Sequence, residues 1–276
     1  MENNKLTKLI NILKVMQSAL LAYSGGVDST FLLKAIRMAG IKSLAVTASS
    51  EIFPLPEVLA AQEIAKGLGI RHKVLEIGPF TEDFLSNTPE RCFFCKSKLF
   101  NNLTDIALSE GLRFVLDGSN TDDLMDCRPG QKAVSKYHVR SPLVEAGFSK
   151  SEIREFSRQL GLPTWNRPSS PCLATRIPYG RRITSETLKR IERSEDFLRS
   201  LGFHQIRVRD HGYVARIEIG EDEIDLILKP ERRKSISETL RSLGYKYISL
   251  DLEGYKSGSM NRILDDKRSL WNTRNT

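Results

Sequence analysis

Ser24-Gly25-Gly26-Val27-Asp28-Ser29 brings two adjacent glycines, two hydroxyls and a carboxylate together within six residues. With no Cβ at the glycines, backbone N–H groups can close on an anion, and Ser24 and Ser29 can donate to the same oxygens. That is the chemistry of holding a phosphate. A loop built to transfer a terminal phosphate needs a Lys-Ser/Thr pair after its second glycine, and Val27-Asp28-Ser29 stands there instead. The simpler reading is a glycine turn with a serine cap. A second centre is Cys92-Phe93-Phe94-Cys95, placed just ahead of a helical pattern, with Cys172 a further 77 residues on in a proline-flanked loop. The two-residue spacing lets two thiolates meet one metal centre. Zinc completed by Cys127 or a histidine, a redox pair, and an iron–sulfur cluster held by three thiolates all fit, as do ordinary buried thiols. Arg207 and Arg209 alternate on a strand-like run, so both can fork onto one phosphate, although solvation is the plainer role for two such arginines.

The elements that must position these groups follow from periodicity. Ala19-Leu20-Leu21-Ala22-Tyr23 predicts a buried parallel strand, and Phe31, Leu32, Leu33, Ala35 and Ile36 predict the buried stripe of a helix. The glycines then lie at a strand-to-helix turn, where the helix N-terminus adds partial positive charge. Further strand-like runs at 18–23, 43–48, 72–77 and 114–117 alternate with helical patterns near 28–40, 56–68 and 94–110. That alternation predicts an α/β fold with a doubly wound parallel sheet. The glycine loop, Thr47-Ala48-Ser49-Ser50 and Asp117-Gly118-Ser119-Asn120 all fall at strand carboxyl ends, where such sheets bind ligands. Asp28 and Asp117 are candidates for holding Mg²⁺ or ordering the loop, and capping is the bland alternative. A helix at 149–160 ends at Gly161-Leu162-Pro163 and gives way to an irregular loop, 165–172. From Ser185 a helix, two strands, two helical patches over 221–243 and a strand at 247–250 suit a small α+β domain with an antiparallel sheet. The expected division is 1–182 and 183–276.

A chain of 276 residues with 40% hydrophobic content can bury a real core. No apolar stretch reaches membrane-spanning length, and the N-terminal helix marked by Leu6, Leu9, Ile10, Leu13 and Met16 lacks a signal-like core, so a cytoplasmic enzyme is expected. Four cysteines do not make a disulfide scaffold in a chain this long. The net charge of +8 is uneven: residues 1–127 sum to −2 and residues 128–276 to +10. A basic second half can meet nucleic acid or neutralise a phosphorylated small substrate.

Ser-Gly-Gly-x-Asp-Ser after a strand resembles the PP-loop of N-type ATP pyrophosphatases, which grip the pyrophosphate of ATP and adenylylate a substrate oxygen. A longer series resembles the LarE family of ATP-dependent sulfur transferases. It comprises the PP-loop, Asn87-Thr88-Pro89, Asp126-Cys127-Arg128-Pro129-Gly130, Trp165-Asn166, Arg176-Ile177-Pro178-Tyr179-Gly180, Leu198-Arg199-Ser200-Leu201-Gly202-Phe203 and Arg207-Val208-Arg209. That resemblance implies ATP-dependent conversion of carboxylates of pyridinium-3,5-biscarboxylic acid mononucleotide to thiocarboxylates, in building the nickel-pincer nucleotide of lactate racemase. It implies ATP contacts at Ser24, Gly25, Gly26, Val27, Asp28, Ser29, Ser50, Asp117, Gly118 and Arg128, with Mg²⁺. It places substrate contacts at Glu195, Arg207 and Arg209, with Arg176 near the acyl phosphate or pyrophosphate.

One branch of that family sacrifices the sulfur of a single cysteine; another carries Cys-x-x-Cys plus a distant cysteine that hold a [4Fe-4S] cluster. Cys92, Cys95 and Cys172 resemble the second branch, in which one iron lacks a protein ligand and can carry a replaceable sulfide. The resemblance also implies a sulfide donor and a homo-oligomer. Two departures stand out: the acidic segment 121–126, and Cys172 displaced by one position from the sacrificial cysteine. Cys127 reads as a bystander. A tRNA thiolation enzyme is the first alternative, weakened by the absence of room for an N-terminal RNA-capture domain and of aromatic-interleaved basic stretches. A non-catalytic, zinc-bound nucleotide-sensing module is the second.

Overall fold

The computed structural model describes residues 2–124, 129–168, 170–256 and 258–262. By internal contact the chain divides into two compact units, Met1–Ser170 and Pro171–Thr276. In the first, strands β1 (Ser18–Ala22), β2 (Lys42–Ser49), β3 (His72–Glu76) and β4 (Phe114–Leu116) form one sheet in the order β3-β2-β1-β4, with every pair parallel. Around it run α1 (Glu2–Met16), α2 (Val27–Ala39), α3 (Leu55–Gly67), the single turn α4 (Glu82–Leu85), α5 (Arg91–Ser109), α6 (Pro129–Lys136), the short α7 (Pro142–Ala146) and α8 (Lys150–Gln159). This is the doubly wound α/β sheet expected of a PP-loop protein.

Alternation along β1 explains why its sequence is apolar throughout. Ala19 and Leu21 enter one core with Leu9, Leu13, Phe31 and Phe156, while Leu20 enters another with Val46, Phe100 and Leu103 on the opposite face. From β1 the chain steps outward through β2 to β3 and then returns to place β4 on the other side of β1. The connections leaving β1 and β4 therefore part at their carboxyl ends, and the glycine loop sits at that switch point. Helix α5 begins three residues earlier than its periodicity suggested. Thr88-Pro89 ends the preceding segment, and Arg91 N and Phe93 N already donate to Thr88 O and Glu90 O. Cys92 and Cys95 thus lie within the helix, at i and i+3 on one side, rather than ahead of it.

The second unit holds α9 (Ser185–Ser200), β5 (Ile206–Asp210), β6 (Val214–Ile219), α10 (Ile224–Ile227), α11 (Pro230–Ser242) and β7 (Tyr247–Leu250), with sheet order β5-β6-β7. Strands β5 and β6 are antiparallel, but β6 and β7 are parallel, so the sheet is mixed and not wholly antiparallel as expected. The cause is the helical crossover through α10 and α11, which returns the chain in the direction it left. Ile206 and Val208 face a core with Leu198, Ile217 and Leu240, which turns Arg207 and Arg209 to the other face of β5. Among the described residues no helix is long and apolar enough to cross a membrane.

Candidate functional site

The first unit gathers its candidates around the loop between β1 and α2. Gly25 has φ +72°, and a Cβ there would stand 2.7 Å from the Ala61 Cβ on α3. Only glycine fits. Ser24 Oγ and Ser29 Oγ are 3.1 Å apart, Ser29 Oγ donates to Gly26 O at 3.3 Å, and Gly26 N donates to Ser24 Oγ at 3.4 Å. These bonds fold the loop over the first turn of α2, whose leading N–H groups have no partner in their own helix. Gly118, just after β4, packs against that turn so tightly that a Cβ would lie 3.1 Å from Ser29 N.

Asp28 stands in the first turn of α2 and makes an ion pair with Lys150, whose Nζ donates to Asp28 Oδ2 at 2.5 Å. Its other oxygen, Oδ1, is buried with no hydrogen-bond partner. Burial pushes the Asp28 carboxyl above the usual carboxylate range, and the Lys150 ammonium pulls against it. The Ser50 hydroxyl, following β2, is likewise buried without a partner. Two such atoms at the ends of adjacent elements fit a cation on the carboxylate and a polar ligand on the hydroxyl, because a buried polar group left unpaired is costly. Asp117 differs. It accepts from Ser119 Oγ and Ser141 Oγ, both at 2.6 Å, and from Ser119 N at 3.2 Å, so it orders the turn after β4.

Sequence reasoning missed several groups here. Arg167 donates to Gly25 O at 3.2 Å and to Glu57 Oε2 at 2.7 Å, clipping the glycine loop to α3. Arg154, one turn beyond Lys150 on α8, donates to Trp165 O and Arg167 O, both at 2.8 Å. The Ser149…Glu152 capping box, which starts α8, was legible as a helix start; that Lys150 and Arg154 point from that helix to the loops was not. Arg128 and Cys127 lie outside the described residues.

Cys92 and Cys95 are half-buried on α5. The buried Arg91 beside them donates to Asn87 Oδ1, and Asn87 itself has φ +55°. Two thiols on one helical side suit two ligands of one centre. Among the described residues, however, no three His, Cys, Asp or Glu side chains come together as a metal-holding group.

Cys172 belongs to the second unit, at the head of a 3-10 turn over Leu173–Arg176. Arg176 is fully buried and forks onto Glu195, Nε to Oε1 and Nη2 to Oε2, both at 2.9 Å. Its Nη1 donates back to Pro171 O at 2.6 Å and Cys172 O at 3.1 Å. Glu195 also accepts from Val208 N at 3.0 Å and from Arg199 at 3.1 Å. Burial works most strongly to raise the Glu195 carboxyl, but Arg176, Arg207 and the Val208 N–H together outweigh it and hold the group below the ordinary range. Arg209 donates to Glu218 Oε2 at 2.5 Å, Ser259 Oγ at 3.1 Å and Thr175 O at 3.2 Å, while its Nε is buried without a hydrogen-bond partner. Arg207 lies 5.0 Å from the Tyr255 ring centroid, and burial, then Arg176, brings it down to about 10, still a cation at neutral pH. The structure therefore brings Arg176, Glu195, Arg207 and Arg209 into one buried cluster behind the Cys172 turn.

No family model matches the chain. Curated relatives do. An uncharacterized protein of Synechocystis is 41% identical over 96% of this chain and 99% of its own. The pyridinium-3,5-bisthiocarboxylic acid mononucleotide synthase of Lactiplantibacillus plantarum is 38% identical over 94% of this chain and 95% of its own. An uncharacterized protein of Methanocaldococcus jannaschii is 34% identical over 92% and 98%. Identity of that order, sustained through both units and not confined to a glycine loop, means that the chain belongs to the LarE family of ATP-dependent sulfur transferases.

Proposed function

We propose that this enzyme activates carboxylates of pyridinium-3,5-biscarboxylic acid mononucleotide with ATP and replaces oxygen by sulfur, in making the nickel-pincer nucleotide. The observation that carries this is the full-length likeness to the Lactiplantibacillus plantarum synthase. A carboxylate resists nucleophiles because its charge is delocalised and oxide leaves poorly. Activation therefore comes first: a carboxylate oxygen attacks the α-phosphorus of ATP, the bond to the bridging oxygen breaks, and its electron pair leaves with pyrophosphate. Ser24, Gly25, Gly26, Val27 and Ser29 hold that pyrophosphate, Ser50 and Gly118 line the nucleotide, and Asp28, whose Oδ1 is buried without a hydrogen-bond partner, would hold Mg²⁺ to neutralise the phosphates. A sulfur nucleophile then attacks the acyl carbon and AMP departs.

The second unit suits the substrate's phosphate. Arg176, Arg207 and Arg209 outnumber Glu195 and Glu218 in the buried cluster, and the spare Arg209 Nε supports an anion there. Arg176 and Glu195 serve by fixing the Cys172 turn. Cys92, Cys95 and Cys172 would hold the [4Fe-4S] cluster, which when bound supplies a replaceable sulfide to the reaction. A separate sulfide donor and a homo-oligomeric assembly complete the proposal. The test is single replacement. Cys92→Ala, Cys95→Ala and Cys172→Ala should each abolish sulfur transfer while sparing pyrophosphate release, and transfer retained in any one contradicts the three-thiolate site.

A further inference from the structure

On the polar face of β5 and β6 the register sets Arg207 across from Glu218 and Arg209 across from Arg216, so three cations share that face with one carboxylate. An open face of that composition would be wet. Yet Arg207 and Arg209 are 6% and 5% exposed, because the chain after β7, residues 251–256 and 258–262, turns back as a strap over them. Asp251 N extends the ladder to Ile217 O at 2.9 Å, Glu253 N and Gly254 N close a turn on Asp251 Oδ1 and O, and Tyr255 N donates to Ile219 O at 2.7 Å. Gly254, at φ +64°, permits this turn: a Cβ there would stand 2.8 Å from Ile219 O.

The strap is held by the cluster it covers. Arg216 grips it at two points, Nη1 donating to Asp251 Oδ2 at 2.6 Å and Nη2 to Met260 Sδ at 3.5 Å. Ser259 Oγ accepts from Arg209 Nη2 at 3.1 Å and donates to Glu218 Oε1 at 3.0 Å. A neutral hydroxyl is a poorer acceptor for a buried guanidinium than an oxyanion. Nε of Arg209 and Nε of Arg216 are both buried without a hydrogen-bond partner. Two cross-strand neighbours with a spare N–H each, beside a hydroxyl where an oxyanion would bind better, mark the place of an anion under the strap.

We propose that the strap is the cover of the substrate's phosphate, with Ser259 Oγ keeping the place of one phosphate oxygen on Arg209 until the mononucleotide enters. This rests on the reading of the second unit's arginines as the substrate's phosphate site. The strap lifts, the phosphate displaces the hydroxyl, and Arg216 gives the phosphate its Nε while its Nη atoms still hold Asp251 and Met260. A bound phosphate therefore keeps the strap shut. A nucleoside without phosphate has nothing to replace Ser259 and is not retained.

Hydrogen–deuterium exchange at the Tyr255 amide reads the strap directly, since its bond to Ile219 O breaks when the strap lifts. Saturating pyridinium-3,5-biscarboxylic acid mononucleotide should slow exchange in peptides covering 251–262 at least about fivefold, and the dephosphorylated nucleoside should not. Ser259→Ala frees Arg209 for the phosphate, so by isothermal titration calorimetry it should bind the mononucleotide about threefold to tenfold tighter. In the ligand-free variant the strap should exchange faster. A substitution that merely loosens the fold weakens binding, so tightening is specific to a displaced placeholder. Binding of the mononucleotide with strap exchange unchanged, equal protection by the nucleoside, or a Ser259→Ala protein that binds no tighter overturns the proposal while the substrate assignment stands. A wild-type protein that does not bind the mononucleotide overturns both.

Discussion

Gly25 and Gly118 set the tolerance of the proposed nucleotide site at single-atom resolution. Gly25→Ala combines a left-handed backbone with a 2.7 Å approach to Ala61, and the cost should be about 1–3 kcal/mol by urea unfolding. Gly118→Ala presses on Ser29 N instead, so its main effect should be a raised KM for ATP with a smaller loss of stability. Farther from the loop, the buried fork of Arg176 on Glu195 makes Glu195→Ala costly. It strands a buried guanidinium, and a loss of about 3–5 kcal/mol is expected. His72 adds a pH dependence. It lies against Thr47 with Nε2 2.8 Å from Oγ1, and burial holds its pKa below the ordinary 6.5. As pH falls, the unfolded chain takes up the proton first, so this contribution is complete above about 6.5 and drains away below it. His72→Gln should flatten unfolding free energy between about pH 7 and pH 5.

At the scale of elements, α8 is where stability and site geometry meet. Ser149→Ala removes the capping hydroxyl and should cost about 1 kcal/mol, with a larger relative loss in pyrophosphate release because Lys150 and Arg154 ride on the frayed turn. The same helix shows what a sequence can and cannot disclose. Its start was legible from Ser149 and Glu152, and β1 to β4 were legible because apolar runs bounded by turn residues have few other uses. Where Lys150 and Arg154 point depends on α8 packing against α2, which no local pattern encodes. The parallel pairing of β6 with β7 was missed for a related reason. Strand periodicity is blind to direction, and only the helical length between Ile219 and Tyr247 hinted at a crossover. At α5 the apolar stripe begins only after the helix has started, and it is Thr88-Pro89 that announces the earlier start at Arg91.

For the whole molecule, the positive excess of residues 128–276 takes on another meaning once the second unit is described. Arg176, Arg207 and Arg209 are buried, and Arg190 and Arg216 are engaged with Asp210 and with Glu218 and Asp251. The net excess itself lies on less buried residues, since three buried arginines face four buried carboxylates, Glu195, Asp210, Glu218 and Glu223; it is the buried arginine cluster that suits a small phosphorylated substrate better than a polynucleotide. The most direct test is mass spectrometry of pyridinium-3,5-biscarboxylic acid mononucleotide after anaerobic incubation with cluster-reconstituted enzyme, Mg-ATP and sulfide. ATP-dependent exchange of oxygen for sulfur, over more turnovers than there are protein molecules, is the predicted result. No exchange, with pyrophosphate released only when tRNA is added, would contradict it.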